Sequence, residues 1–425
     1  MKQELTHLLK QRSILLLLCI SLLLTWLSLH NGWQNIHHIR EQISHAQLEA
    51  DLRHQSQQAD YASRAQIDAG EIGYYLFHNV YQHPTEWSFL ALGNRLVTPY
   101  VQRIRLLGLQ GQLYDGESHH PEYVMLGSFD YAFWLVFFTP LICIALLHDL
   151  KASEFQAQRL VFLNSLIANP KVFWARRVLL RWVLILLSLI IPLVFFAIAQ
   201  SLSLKPLITV IAITALYTLF WVVICLFISL RKQAMNASLN AMLLASIWLV
   251  LCVALPNLAQ LWLHQQYPIQ DGSQIALQHR QLVHNAWDQP KTDTLNPFYV
   301  HYPQWQDTPA VTGRFHWKWY YAFQHMADVQ LQAQVTDREQ TLALRDQTTK
   351  KLGLVLPSLW VQHSLENIAQ SNVTHLLTHR RRITDFHTQL RHFLYPYLFE
   401  EKAMTVNDLV NMPTFENQAS APVHP

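Results

Sequence analysis

Charge is scarce in this chain. Asp, Glu, Lys and Arg make up 14% of 425 residues, whereas soluble globular chains carry about 25%. The shortfall implies that part of the surface faces lipid. Glycine is scarce too, at 11 residues, and no G-x-x-x-x-G-K-[ST] phosphate loop occurs. The chain therefore has no backbone nest of that kind for ATP. H-E-x-x-H, G-x-S-x-G and Cys-x-x-Cys are equally absent, so an enzyme reading has no motif behind it and no cofactor is implied. The four cysteines, Cys19, Cys143, Cys225 and Cys252, all lie in apolar runs. They read as small packing residues rather than a disulfide framework or a metal site. A net charge of +3 is too small for a nucleic-acid footprint, which needs a concentrated basic face.

Apolar residues are abundant. They reach 51%, yet mean hydropathy is only +0.10, so very apolar segments must alternate with polar ones. Five runs meet or approach the length of a membrane helix: Ser13 to Leu29, Tyr131 to Leu147, Val183 to Leu204, Pro206 to Leu230 and Ser238 to Leu258. The first has the basic lead of a signal peptide but no A-x-A cleavage site. It reads as a signal anchor. Lys and Arg in the short loops set the orientation. Lys2, Lys10 and Arg12, then Lys151, Arg159, Lys171, Arg176 and Arg177, then Arg231 and Lys232 fall on one side. Only Lys205 lies in the opposite short turn. The N-terminus is expected in the cytoplasm and the C-terminus outside it.

The expected fold is therefore an all-α polytopic membrane protein with five transmembrane helices and a mostly helical extracytoplasmic domain. The expected layout is 1–30 for the N-terminal tail and first span, and 31–129 for a first extracytoplasmic insertion. Residues 130–258 hold the other four spans around a cytoplasmic loop, 148–181. Residues 259–413 form a second extracytoplasmic segment, and 414–425 a disordered tail. Asn31 to Ala69 reads as a helix continuing the first span, with Ile36, Ile39, Ile43 and Ala46 as its stripe. Gln324 to Lys350 and Asn372 to Leu398 read as helices that bundle with it. Pro140 and Pro192 interrupt spans, and their freed carbonyls need neighbours. Ala237, Ala241 and Ala245 repeat every fourth residue on the fifth span, a spacing that permits close helix packing or arises by chance in an Ala-rich helix. No Asp, Glu, Lys, Arg or His lies deep in any run, which disfavours a proton- or ion-driven carrier.

Histidine is frequent, at 23. His37–His38 and His119–His120 are adjacent pairs, and His375 and His379 stand four apart on a predicted helix. That spacing can hold a metal, but no Asp, Glu or Cys completes a set, and solvated surface residues are the expectation. The aromatic run from Phe315 to Phe323 reads as core or interface sooner than ligand surface. The loop 148–181 carries more information. Phe155, Val161, Phe162, Leu166 and Ile167 make it amphipathic around Glu154 and Arg159. Such a helix can dock in a partner's groove or lie flat on the bilayer.

Several stretches resemble ABC-2-type permeases, and in particular a bacterial subfamily with large external insertions known mainly as a domain of unknown function. Ala91-Leu92-Gly93 followed by Pro99 resembles that family's short Gly…Pro stretch in the first external loop, and Pro121 to Phe133 its entry into the second span. Glu154, Arg159-Leu160, Ser165, Pro170 and Arg177 fall where the family has its coupling loop. Trp360 to Phe415, with Ser364-Leu365 and Asp408-Leu409…Pro413…Phe415, is similar to its closing external segment. The resemblance implies a permease subunit of the bacterial inner membrane, with export as its direction. It would pair with a second permease copy or paralogue and with a separate cytoplasmic ABC ATPase. Glu154, Arg159, Asn164 and Pro170 would be the residues that couple to that ATPase. Two features depart from the family. Gln156-Ala157-Gln158 stands where a glycine usually follows the glutamate, and no sixth span follows Pro413-Thr414-Phe415. The departures keep a second reading open, a non-transporting ATPase-coupled mechanical device or assembly scaffold. A sensor would need a larger cytoplasmic domain.

Overall fold

The structure, a computed structural model, describes residues 11–64, 67–115, 128–166, 169–231 and 236–415. Lys2, Lys10, His119–His120, Lys232, the stretch Pro121 to Gly127 and the tail from residue 416 lie outside the described residues. In chain order, the chain forms α1 (Arg12–Ala62), α2 (Ala69–Tyr75), β1 (His78–Tyr81), β2 (Val101–Ile104) and α3 (Leu109–Tyr114). Next come α4 (Tyr131–Gln156), α5 (Leu160–Leu166), α6 (Pro170–Ala199) and α7 (Leu204–Ser229). Then follow α8 (Ala237–Gln266), α9 (Gly272–Ala286), α10 (Lys291–His301), α11 (Trp317–Gly353), α12 (Pro357–Ala369), α13 (Val373–Phe399) and α14 (Val406–Val410).

Five of these helices, α1, α4, α6, α7 and α8, are long and apolar enough to cross a membrane. The protein is a multi-pass membrane protein. Its chain path gives the bundle two ends. The α4–α6 connection and the α7–α8 connection share one end, here the elbow end. The α6–α7 turn and the chain leaving α8 lie at the other, the head end. Helix α4 is central, with 67% of its apolar window buried, against 17% for α8. Polar side chains tie the spans where apolar packing gives no preference over lipid. Ser21 and Ser188 hydroxyls meet at 2.9 Å. Trp134 Nε1 donates to Thr25 Oγ1 at 2.8 Å, and Tyr131 and Thr214 hydroxyls pair at 2.8 Å.

The span prolines explain two local distortions. Proline lacks an amide hydrogen and clashes with the carbonyl one turn back. A π-turn, Trp134–Phe138, precedes Pro140, and another, Leu249–Ala254, precedes Pro256. Each absorbs the misfit by widening one turn. The freed carbonyls are taken up by neighbours. Tyr217 Oη donates to Val136 O at 2.8 Å, Trp248 Nε1 to Phe137 O at 3.0 Å, and Ser358 Oγ to Leu251 O at 3.0 Å. Pro192 lies inside α6, which runs on past it.

Helix α1 leaves the bundle without a break and enters the head. Ile36, Ile39 and Ile43 are buried on one face, at helical spacing. Beside them Gly32 allows the backbone of Phe89 to approach; a Cβ there would stand 2.2 Å from Phe89 O. The head is built on α9, α10, α11 and α13, with β1 and β2 paired antiparallel, His78 opposite Ile104. Its centre is a polar clasp. Asp328 on α11 accepts the amides of Leu109 at 2.7 Å and Gln110 at 2.9 Å, and is paired with Arg391 of α13. Burial alone would raise the Asp328 carboxyl, but Arg391 and His279 hold it well below the usual range.

The aromatic run becomes head core: Trp319, Tyr320, Tyr321 and Phe323 are all buried. His375 Nδ1 meets Asn372 Oδ1 at 2.6 Å at the start of α13, while His379 packs against the Phe415 ring. Among the described residues no group of three His, Cys, Asp or Glu side chains gathers as a metal site would. Cys143, Cys225 and Cys252 are buried and Cys19 is exposed.

Candidate coupling site

The elbow begins where α4 passes from apolar sequence to His148-Asp149-Leu150-Lys151. Its backbone is tied down from three sides. Ser229 Oγ of α7 donates to Leu147 O at 2.8 Å, and Asn240 Nδ2 of α8 to His148 O at 3.1 Å. Arg181 of α6 reaches Leu146 O and lies 3.4 Å from Asp149 Oδ1. Lys151 Nζ donates to Arg231 O, joining the elbow to the α7–α8 connection. Four spans thus converge on one turn.

Beyond that turn, Glu154 is buried although it lies at the surface end of the bundle. Arg177 Nη2 meets its Oε1 at 3.0 Å, and Arg159 Nε meets its Oε2 at 3.1 Å. The Arg177 guanidinium also lies over the rings of Phe173 and Trp174, at 5.6 Å from each. The two arginines differ. Arg177 is 14% exposed and belongs to α6, whereas Arg159 is 64% exposed and faces outward. The carboxylate therefore joins a fixed cation on a span to a free-facing cation on the elbow.

The chain reverses between Gln156 and Leu160. Gln158 adopts φ 57°, the left-handed region that favours glycine. The turn Gln156-Ala157-Gln158 thus takes a left-handed residue without a glycine. Arg159 N donates to Glu154 O at 2.9 Å and closes the turn. Helix α5 then carries Val161, 82% exposed, and Phe162, 65% exposed. With Phe155, they leave exposed apolar side chains at the elbow. Pro170 occupies the first turn of α6, after Asn169 accepts Val172 N at 3.4 Å. There proline costs no hydrogen bond.

The structure thus brings Glu154, Arg159 and Arg177 together and sets Pro170 at the start of the span that carries Arg177. The Asn164 side chain lies outside the described residues. On α8 the face turned into the bundle carries Asn240 and Leu244, while Ala237 and Ala241 are half-buried beside it and Ala245 is exposed. Sequence reading did not single out Ser229 or Asn240, and gave Arg177 and Arg181 no partners. Small polar residues near span ends were the available signal.

The head end has its own joint. Asp130 Oδ2 accepts Leu92 N at 2.9 Å and its Oδ1 accepts Phe133 N at 2.9 Å, which fixes the start of α4. Trp87 Nε1 donates to Ser203 Oγ in the α6–α7 turn at 3.0 Å, and Ser88 Oγ to Ala369 O of α12 at 2.9 Å. Helix α12 is packed into the bundle core through Val361, Leu365 and Ala369. At the head end, the start of α4 and the α6–α7 turn are thus both bonded to the segment from Trp87 to Leu92.

Residues 273–418 match the profile of a family described as a domain of unknown function (DUF3526). No curated protein and no solved structure matches the chain. The matched region takes in the head helices α10 to α14 and nearly all of α9, and it stops short of the elbow.

Proposed function

We propose that this chain is the membrane subunit of an ATP-driven assembly of the ABC-2 type. A separate cytoplasmic ATPase docks on the elbow, and a second permease copy or paralogue completes the unit. The observation that carries the reading is the Glu154 clamp. An outward-facing arginine, two residues before the exposed Val161, is bonded through one buried carboxylate to a span. Force on such a handle moves α6 and not the elbow alone. In this reading the head lies outside the cytoplasm. The chain has no phosphate loop of its own, so nucleotide chemistry falls to the partner.

A second reading, an ATPase-coupled mechanical device that transports nothing, is favoured by one feature. Helix α1 runs unbroken for 51 residues from bundle into head, a form suited to relaying motion. The test is gentle solubilisation of the full chain from its native membrane. A stoichiometric partner carrying a phosphate loop supports the proposal. Recovery of the chain alone, or with partners of the head only, overturns it. Retained substrate-dependent flux in reconstituted vesicles then separates a permease from a mechanical device.

A further inference from the structure

Helices α11 and α12 form a hairpin whose tip is Gly353-Leu354-Val355-Leu356. Leu354 is 84% exposed and Val355 78% exposed. An apolar tip so bare would be costly in water. One bond reports its level in the molecule. Ser358, three residues past Val355, donates to Leu251 O. Leu251 lies within the fifth apolar run, seven residues short of its end at Leu258, which is roughly 10 Å inside the run at 1.5 Å per residue. The tip therefore stands below the head-side edge of the membrane-spanning bundle. On the same turn of α8 as Leu251, Leu249 and Val250 are both exposed, as lipid-facing residues of a span are.

The charge pattern agrees with that level. Lys350 and Lys351 close the last turn of α11, one turn above the tip. Lys350 is paired with Asp346 at 3.0 Å. Lys351 is exposed, and its long stem can carry the ammonium up to the headgroup region.

We propose that the α11–α12 tip is a re-entrant lipid anchor: Leu354 and Val355 sit among acyl chains of the head-side leaflet, and Lys351 contacts a phospholipid phosphate. The occupant is lipid because the bare apolar tip is tied, through Ser358, to the turn of α8 that exposes Leu249 and Val250, and because its cationic residues, Lys350 and Lys351, lie on the headgroup side. Lipid contact there would hold the head at a set height on the bilayer.

The test places an environment-sensitive fluorophore on the full chain through Val355→Cys, with the exposed Cys19 replaced by Ala. Leu249→Cys on α8 serves as the lipid reference and Asp51→Cys in the head as the aqueous one. The protein is reconstituted in phosphatidylcholine–phosphatidylglycerol vesicles containing doxyl-labelled lipid. The expected result is a fluorescence loss at Val355→Cys comparable with that at Leu249→Cys, with little quenching by iodide. Iodide quenching like that at Asp51→Cys overturns the anchor while leaving the membrane bundle intact. Protection from both quenchers also overturns it, since protein would then cover the tip. Lys351→Glu should lower the lipid quenching at Val355→Cys, and unchanged quenching removes the phosphate contact.

Discussion

Arg177 of α6 and Glu154 of the elbow meet at 3.0 Å with both side chains largely buried. This contact makes the elbow a continuation of the span rather than a loop between spans. Exposed ion pairs contribute about 0–1 kcal/mol. The Arg177 side of the clamp is sheltered, so its loss leaves a desolvated cation without its main partner. Glu154→Gln should therefore destabilise the protein by about 1–3 kcal/mol, seen as a lower thermal midpoint in detergent. A midpoint equal to that of the native chain would mean that the clamp carries no load.

Arg159→Glu separates docking from stability. The residue is 64% exposed, and substitutions at such positions usually change stability by under about 0.5 kcal/mol. The thermal midpoint should hold while association with the proposed ATPase falls. Full association in this variant, measured by quantitative pull-down, argues that the elbow is a bilayer-surface helix.

Gln158 pays a conformational penalty at φ 57°. Left-handed backbone costs residues with a Cβ about 1–2 kcal/mol. Gln158→Gly should be neutral or stabilise by up to about 1 kcal/mol, because the glycine's greater unfolded-state freedom offsets part of the gain. Gln158→Val should weaken the turn and speed tryptic cleavage at Arg159. Equal cleavage rates in the two variants would contradict the assigned turn.

Ser358 and Pro256 are linked through one carbonyl. Ser358→Ala removes the donor to Leu251 O and should cost about 1 kcal/mol. In a Pro256→Ala background, where the ladder of α8 can close on itself, the same change should cost less. Additive effects in this double-mutant cycle would show that the serine does not serve the proline's turn.

Acid should loosen the head. Burial pushes His78, His325 and His387 down to about 3 from an ordinary value of 6.5. These rings are neutral in the folded head, and His387 Nε2–H donates to Leu107 O at 2.9 Å. The unfolded chain binds protons that the fold does not below pH 6.5. Their contribution to stability is thus whole above that pH and is lost as pH falls toward 3, at about 1.4 kcal/mol per ring per pH unit. Denaturant midpoints measured from pH 7 to pH 4.5 should fall, and a flat profile would contradict the neutral rings.

How much was legible depended on length and locality. The spans follow from uninterrupted apolar runs, and the extension of α1 from the stripe Ile36, Ile39 and Ile43, because both signals lie within the helix that uses them. The seating of α12 did not show, since 13 residues are too few to read as a span and its partner Leu251 is remote in sequence. The strands His78–Tyr81 and Val101–Ile104 have four residues each, too short for alternation to register, and Gly93 and Pro99 nearby read as turns. At the elbow the residue types were legible, but not that Glu154 is held twice. Arg177 looked like one more basic residue of a loop, while the structure pairs it with Glu154 at 3.0 Å from within a span.

The most direct test of the coupling account is a photo-crosslinking residue at Phe162, 65% exposed on α5, activated in intact cells. The account predicts an adduct with a phosphate-loop ATPase that Arg159→Glu diminishes. Adducts with lipid alone would contradict it and leave α5 as a helix lying on the bilayer.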